Sequence, residues 1–302
     1  MAFAVIDIGS NTIKLSIYKL ENNEFIKLLN AKETAGLAGY RRDGFLTWEG
    51  IEKACEVLNG FKSTLSIIKL EHLFVFSTAS LRNVINSKEV VHEIEKQTGF
   101  HIDLISGEME ATLGFYGASK INDLDNGLLL DIGGGSTEIV EYVNGKIENC
   151  TSISIGSLSL YSIFVKSILP NKKEQKLISE YVKEHLDEID FIQNKQINTI
   201  LGMGGSVRTV KKMCFKKYDL KEKHLDYKYI PEMINFVRDN KKEGIDLILK
   251  VAPDRIHTAI PGIIIADEIA QLVGAKQIIS SNFGLREGYV YNKIKGDFYN
   301  ER

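Results

Sequence analysis

The chain has 302 residues, 38 Lys and Arg against 40 Asp and Glu for a formal net charge of −2, and 44% hydrophobic residues. That length suits two cores better than one, since single cores stop growing near about 250–300 residues. The charge balance argues against a nucleic-acid partner and leaves room only for a local basic patch.

In chain order, MAFAVIDIGS is apolar but has no basic leader and meets Asp7 too early for a signal peptide. Residues 2–8 read as a strand, and 14–20, 21–24 and 25–29 as strand, turn and strand. From Trp48 to Ile67 the apolar residues Ile51, Ala54, Cys55, Leu58, Phe61 and Leu65 recur at a helical period. HLFVFSTAS (72–80) is a buried strand running into a polar turn, followed by a helix over 87–98, a short strand over 102–106 and a helix over 108–119 that leads out of the first domain. This is α/β alternation.

The opening pattern then returns. AVIDIGSNTIKLSIYKL (4–20) lies on LLLDIGGGSTEIVEYV (128–143) without a gap, pairing Asp7 with Asp131, Ile8 with Ile132 and Gly9 with Gly133. A hairpin follows each copy, the second through Asn144-Gly145, so the pattern reads as a duplicated domain whose Asp-Ile-Gly turns face each other across a cleft. Beyond it come a strand ending in GMGGS (202–206) with a Ser-led helix, a helix over 256–272 with Pro261 near its start, and a strand, turn and helix over 277–294. No run approaches the ~20 apolar residues that cross a bilayer. Cys55, Cys150 and Cys214 are odd in number and far apart, and the six histidines share no ligand spacing, so neither a disulfide framework nor a zinc site is expected and a reducing cytoplasm fits.

Three glycine turns follow apolar strands: Gly9, Ser10, Asn11 and Thr12; Gly133, Gly134, Gly135 and Ser136; and Gly204, Gly205 and Ser206. Backbone amides at such turns converge on phosphate oxygens because no Cβ blocks the approach. Carboxylates beside them would repel that anion, and a divalent cation resolves the conflict. Asp7, Asp131 and Glu138 are hard oxygen ligands of the kind Mg²⁺ prefers, and because Lys14 occupies Glu138's place in the first copy, the second turn is the better metal site.

The stretches AVIDIGSNTIKL, STASLR, ISGEMEA, LLDIGGGSTEIV, GMGGS and SNFGLREG, in this order from residue 4 to 288, resemble the exopolyphosphatase and guanosine pentaphosphate phosphohydrolase family. That family lies within the superfamily of actin, sugar kinases and heat-shock chaperone ATPases. The resemblance implies an α/β fold of two actin-like (ribonuclease H-like) domains, 1–122 and 123–287, with the last helix, about 288–302, a candidate to rejoin the first. It implies an interdomain active site that hydrolyses, with Mg²⁺, the terminal phosphate of inorganic polyphosphate or of guanosine pentaphosphate to the tetraphosphate. It assigns Glu110 to the attacking water, Asp131 and Glu138 to metal, Arg82 to phosphate, and the turns at 9–12 and 133–136 to the phosphate cradle.

Four positions depart from the family pattern: Met109 replaces an acid, Thr112 and Ser159 stand where arginines are common, and His257 replaces an acid two residues after Arg255. Each removes a charge near the expected cleft, which keeps a catalytically silent nucleotide sensor as an alternative and a phosphotransferase as a second. The chain also stops short of the helical C-terminal part of longer members, favouring short polyphosphates; a homodimer is left open. The lysine-rich KKMCFKKYDLKEKH (211–224) could track a polyanion or be a solvated helix face.

Overall fold

The computed structural model describes residues 2–21, 24–222 and 224–295. It opens with a three-stranded meander, β1 (Ala2–Ile8), β2 (Thr12–Glu21) and β3 (Glu24–Thr34). The expected turn at 21–24 includes Asn22 and Asn23, which lie outside the described residues. A small hairpin, β4 (Arg41–Arg42) and β5 (Phe45–Leu46), precedes α1 (Trp48–Ser66), whose buried Ile51, Ala54, Cys55, Leu58 and Phe61 follow the expected helical spacing. Next come β6 (His72–Ser77), α2 (Ala79–Arg82), α3 (Ser87–Thr98), β7 (Asp103–Leu104) and α4 (Gly107–Ser119). The strand expected over 102–106 pairs through only two residues. The first sheet has the order β3-β2-β1-β6-β7, with β2 antiparallel to β1 and β6 parallel to it.

The second unit repeats the plan. β8 (Gly127–Ile132), β9 (Thr137–Val143) and β10 (Lys146–Ile153) form the meander, turned at Asn144 and Gly145, whose φ values of 50° and 69° make the primed turn that Asn-Gly favours. α5 (Ser157–Phe164) and α6 (Lys172–Leu186) follow, then β11 (Thr199–Met203), α7 (Gly204–Tyr218) and β12 (Leu225–Asp226). α8 (Tyr229–Asp239), α9 (Lys241–Val251), α10 (Ala259–Leu272), β13 (Gln277–Ser280) and α11 (Leu285–Lys295) complete it. Residues 296–302 of the expected last helix are outside the described residues. The second sheet runs β10-β9-β8-β11-β13-β12, so both sheets share a core order 3-2-1-4-5 with the second strand reversed, the actin-like arrangement.

The duplication holds residue by residue. Asp7 pairs with Lys14 across β1 and β2, and Asp131 pairs with Glu138 across β8 and β9. Strand alternation sends Ala4, Ile6 and Ile8 toward α1 and α3 and Phe3 and Val5 to the other face of the first sheet. In the second sheet Leu128, Leu130 and Ile132 face α6, α7 and α10, while Leu129 and Val140 face α4. α4 is therefore shared: Leu113 packs with the first sheet, and Ala111, Phe115 and Ala118 with the second. α11 lies so close to α4 that a Cβ on Gly288 would stand 1.9 Å from the Leu113 carbonyl oxygen. The shared helix and its partner fix the two sheets against each other, and both begin at the cleft. No helix among the described residues is long and apolar enough to cross a membrane.

Candidate active site

Three strand ends and the first turn of α4 converge between the sheets. Gly9 N–H donates to the Thr12 carbonyl at 3.2 Å and Gly133 N–H to the Ser136 carbonyl at 2.9 Å, so the turns of the two copies close the same way. They touch. A Cβ on Gly134 would lie 3.3 Å from Asn11 and Ser10, and one on Gly135 would lie 2.5 Å from the Ser10 hydroxyl. The backbone that the triple glycine lets approach is thus first the opposite turn. The Gly134 carbonyl also accepts the Leu158 and Ser159 amides that begin α5. The third turn presses on the second: a Cβ on Gly204 would stand 2.2 Å from Asp131 Oδ1.

The cleft encloses a cavity of about 100 Å³. Asp7, the turn residues 9–12 and 133–136, Glu110, Asp131, Glu138, Gly204 and Gly205 all line it. Two expected residues do not. Ser206 donates its hydroxyl to the Ile132 carbonyl at 3.1 Å, tying α7 to β8. Arg82, expected on phosphate, stands behind Glu110: its Nη1 donates to Glu110 Oε2 at 2.9 Å and to the Ile105 carbonyl at 3.0 Å. Ser106 caps α4 by accepting the Met109 amide at 3.1 Å, which places Glu110 in the first turn and aims it into the cleft.

The carboxylates are held under strain of charge. Burial raises Glu110 to about 7 despite the adjacent Arg82 guanidinium, with Asp131 and Asp7 adding repulsion. Glu138, 1% exposed, is raised well above the usual range by burial and then by Glu110 and Asp131, against which the Ser152 hydroxyl at 2.8 Å and the Ser136 hydroxyl donate to it. Burial also raises Asp131. The Lys14 ammonium stands 3.7 Å from Asp7. The pair across β8 and β9 is therefore the cation-seeking one.

Opposite these acids stand cations that the turn motifs do not announce. Lys14, Arg208, Arg255 and Arg286 all line the cavity. Burial lowers Lys14, Arg208 and Arg255, which marks them as poorly compensated charges that an anion would relieve. Arg286 donates to the Ser16 hydroxyl at 2.5 Å and to Asn30 Oδ1 at 2.9 Å. Glu287, by contrast, is structural, accepting the Tyr18 hydroxyl at 2.5 Å and the Gly284 amide at 3.0 Å, with Lys27 at 3.0 Å. Asn11 Nδ2 is buried without a hydrogen-bond partner, an orphan donor in the first turn.

Lys14 was visible as the counterpart of Glu138, and Arg208 follows the third turn by one helical turn; Arg255 carries no local signal. None of Met109, Thr112, Ser159 and His257 lines the cavity. Ser159 caps α5 by accepting the Gly156 amide at 2.9 Å, and the His257 ring rests against Tyr161.

The carboxylate pair fits a divalent cation. Asp131, half-buried, and Glu138, buried, sit side by side on adjacent strands and repel each other, with no cation paired to Glu138 among the described residues. Among the described residues no three His, Cys, Asp or Glu side chains converge as a complete cage. Mg²⁺ needs none, since it commonly takes one or two carboxylates and completes its shell with water and phosphate oxygens.

The sequence profile described as the Ppx/GppA phosphatase family matches residues 16–296. A bifunctional 3-dehydroquinate synthase/phosphatase from Fusobacterium nucleatum is 30% identical over 92% of the chain, which spans only 44% of that protein's length. Among solved structures, an exopolyphosphatase from Cytophaga hutchinsonii superposes with a TM-score of 0.87 at 23% identity, covering 98% of each chain. The Ppx/GppA enzyme of Aquifex aeolicus gives 0.76 at 25% identity, covering 96% of this chain and 98% of that one.

Proposed function

The chain belongs to the Ppx/GppA phosphatase family, whose members are phosphoanhydride hydrolases, and from that premise we propose that it releases the terminal phosphate of inorganic polyphosphate to water. One observation carries the reading: Glu110, a carboxylate raised to about 7, lines together with Lys14, Arg208, Arg255 and Arg286 a cavity walled by paired glycine turns.

The terminal phosphoryl group lies between the turns, where the amides of both, the Asn11 amide nitrogen and Lys14 donate to its oxygens. Arg208, Arg255 and Arg286 take the charge of the phosphates behind it. Arg82 holds Glu110 Oε2, leaving Oε1 to accept a proton from the attacking water. Phosphoryl transfer to water runs through a loose transition state, so aligning the nucleophile and neutralising spread charge supply most of the rate. A divalent cation held by Asp131 and Glu138 would add charge neutralisation at the phosphoryl oxygens.

The test is a panel of tripolyphosphate, long polyphosphate and guanosine pentaphosphate, with phosphate release measured with and without Mg²⁺. Release from the inorganic chains that requires Mg²⁺ is the expected result. Release from guanosine pentaphosphate alone would move the substrate to the nucleotide, and binding of guanosine tetraphosphate with no turnover of any substrate would make the protein a sensor.

A further inference from the structure

α7 begins at the third glycine turn, so its first turn is in the cleft and its axis leads away from it. Arg208, Lys211, Lys212, Phe215 and Lys216 follow at the helical spacings i, i+3, i+4, i+7 and i+8 and form one face, about 12 Å long. This face lines a groove of about 490 Å³, completed by Val251, Ser280 and Asn282. Arg208 and Asn282 line both this groove and the catalytic cavity, so the two spaces share a wall. Lys212 and Lys216 are exposed; Lys211 donates to the Ser280 hydroxyl at 3.2 Å and lies over the Phe215 ring.

A second way out of the cavity is also cationic, but it is smaller and carries an acid. The other passage, about 220 Å³, is lined by Lys14, Lys32, Arg208, Lys212, Arg255 and Arg286 but is crossed by the Lys32–Asp254 ion pair at 2.8 Å, which places a carboxylate in its wall; it shares Arg208 and Lys212 with the larger α7 groove. The α7 groove has four cations and no carboxylate. Phe215 offers no open ring to a nucleobase on the side that Lys211 covers. The structure also sorts the lysine-rich run: Lys217 turns away onto the Phe236 ring of α8, and Lys223 lies outside the described residues.

We propose that the outer face of α7 carries the distal part of a long inorganic polyphosphate chain whose terminal phosphate is in the cleft. This deepens the hydrolase reading and rests on it. A track of exposed cations acts through screened Coulomb attraction, so it favours longer polyanions and weakens with salt.

The experiment compares wild type with Lys212→Glu/Lys216→Glu on tripolyphosphate and on chains of several hundred phosphates, at low and high salt. The expected result is a roughly tenfold loss of kcat/KM on the long chains with tripolyphosphate unchanged within about twofold, the difference shrinking at high salt. Equal losses on both substrates, or none on the long chains, would overturn the track while leaving the hydrolase reading in place. If wild type releases no phosphate at all, the hydrolase reading fails on its own. The track is then judged by binding of long polyphosphate to Glu110→Gln with and without the two lysine substitutions, where equal affinity, or RNA bound as tightly as polyphosphate, overturns it.

Discussion

Glu110→Gln lowers kcat for phosphate release by about a thousandfold and changes KM by less than about threefold. The magnitude is that of removing a general base, roughly 10²–10⁴. Glutamine keeps an oxygen for Arg82 Nη1, now 2.9 Å from Glu110 Oε2, so the helix turn and the ion-pair pocket stay formed while the proton acceptor disappears. Arg82 does keep its charge without a carboxylate to match it, but its Nη1 also donates to the Ile105 carbonyl. On the proposed reading phosphate affinity rests elsewhere, on Lys14, Arg208, Arg255 and the turn amides that line the cavity, which the substitution does not touch. Steady-state kinetics on tripolyphosphate decides it, and turnover within tenfold of wild type would remove Glu110 from the base role.

Glu138→Gln has two opposite effects, loss of turnover and a gain in stability. A carboxylate raised by burial is ionised in the unfolded chain from about pH 4.3 upward but resists ionisation in the fold. The unfolded state therefore holds fewer protons there, and stability falls as pH rises above that value. Glutamine has no such penalty, so the variant melts higher than wild type at pH 8, by about 3 °C or more, and the gap closes toward about pH 4. Added Mg²⁺ raises the melting temperature of wild type and much less that of the variant, because a ligand stabilises only the state that binds it. Thermal melts at two pH values with and without Mg²⁺ measure this. A gap of the same size at both pH values, or equal Mg²⁺ shifts, would take Glu138 out of the cation site.

The fold was legible where the chain repeats itself. The ungapped match of AVIDIGSNT to LLLDIGGGS reappears as two meanders with the same register, and Asn144-Gly145 forms the turn its residues favour. α1, α3 and α4 were readable from apolar spacing, but α6 went unread although its signals are present: Asn171 and Glu174 form a capping box, and Ile178, Val182 and Leu186 face the core. Spacing within a segment says nothing of which sheet will receive its apolar face.

The site was legible in its turns and less so in its charges. Glu110 stands out only through family resemblance, since a carboxylate in a helix's first turn is ordinarily solvated. Arg255 reaches the cavity from a short turn after α9 by long-range packing, and a Cβ on Gly205 would stand 1.8 Å from its Nη2, a contact no local pattern encodes. The triple glycine carries a double duty: Gly133 closes the turn as Gly9 does, while Gly134 and Gly135 admit Ser10 and Asn11 of the opposite turn. Local sequence shows that something comes close; only the assembled halves show that it is the other half.

The most direct test is hydrolysis of tripolyphosphate by the wild-type protein in heavy-oxygen water with Mg²⁺. On the proposed mechanism water activated by Glu110 attacks the terminal phosphorus, so the released phosphate should carry one heavy oxygen and the shortened chain none. Phosphate transfer that requires ADP or a sugar acceptor, with no label entering free phosphate, would contradict a hydrolase at this cleft.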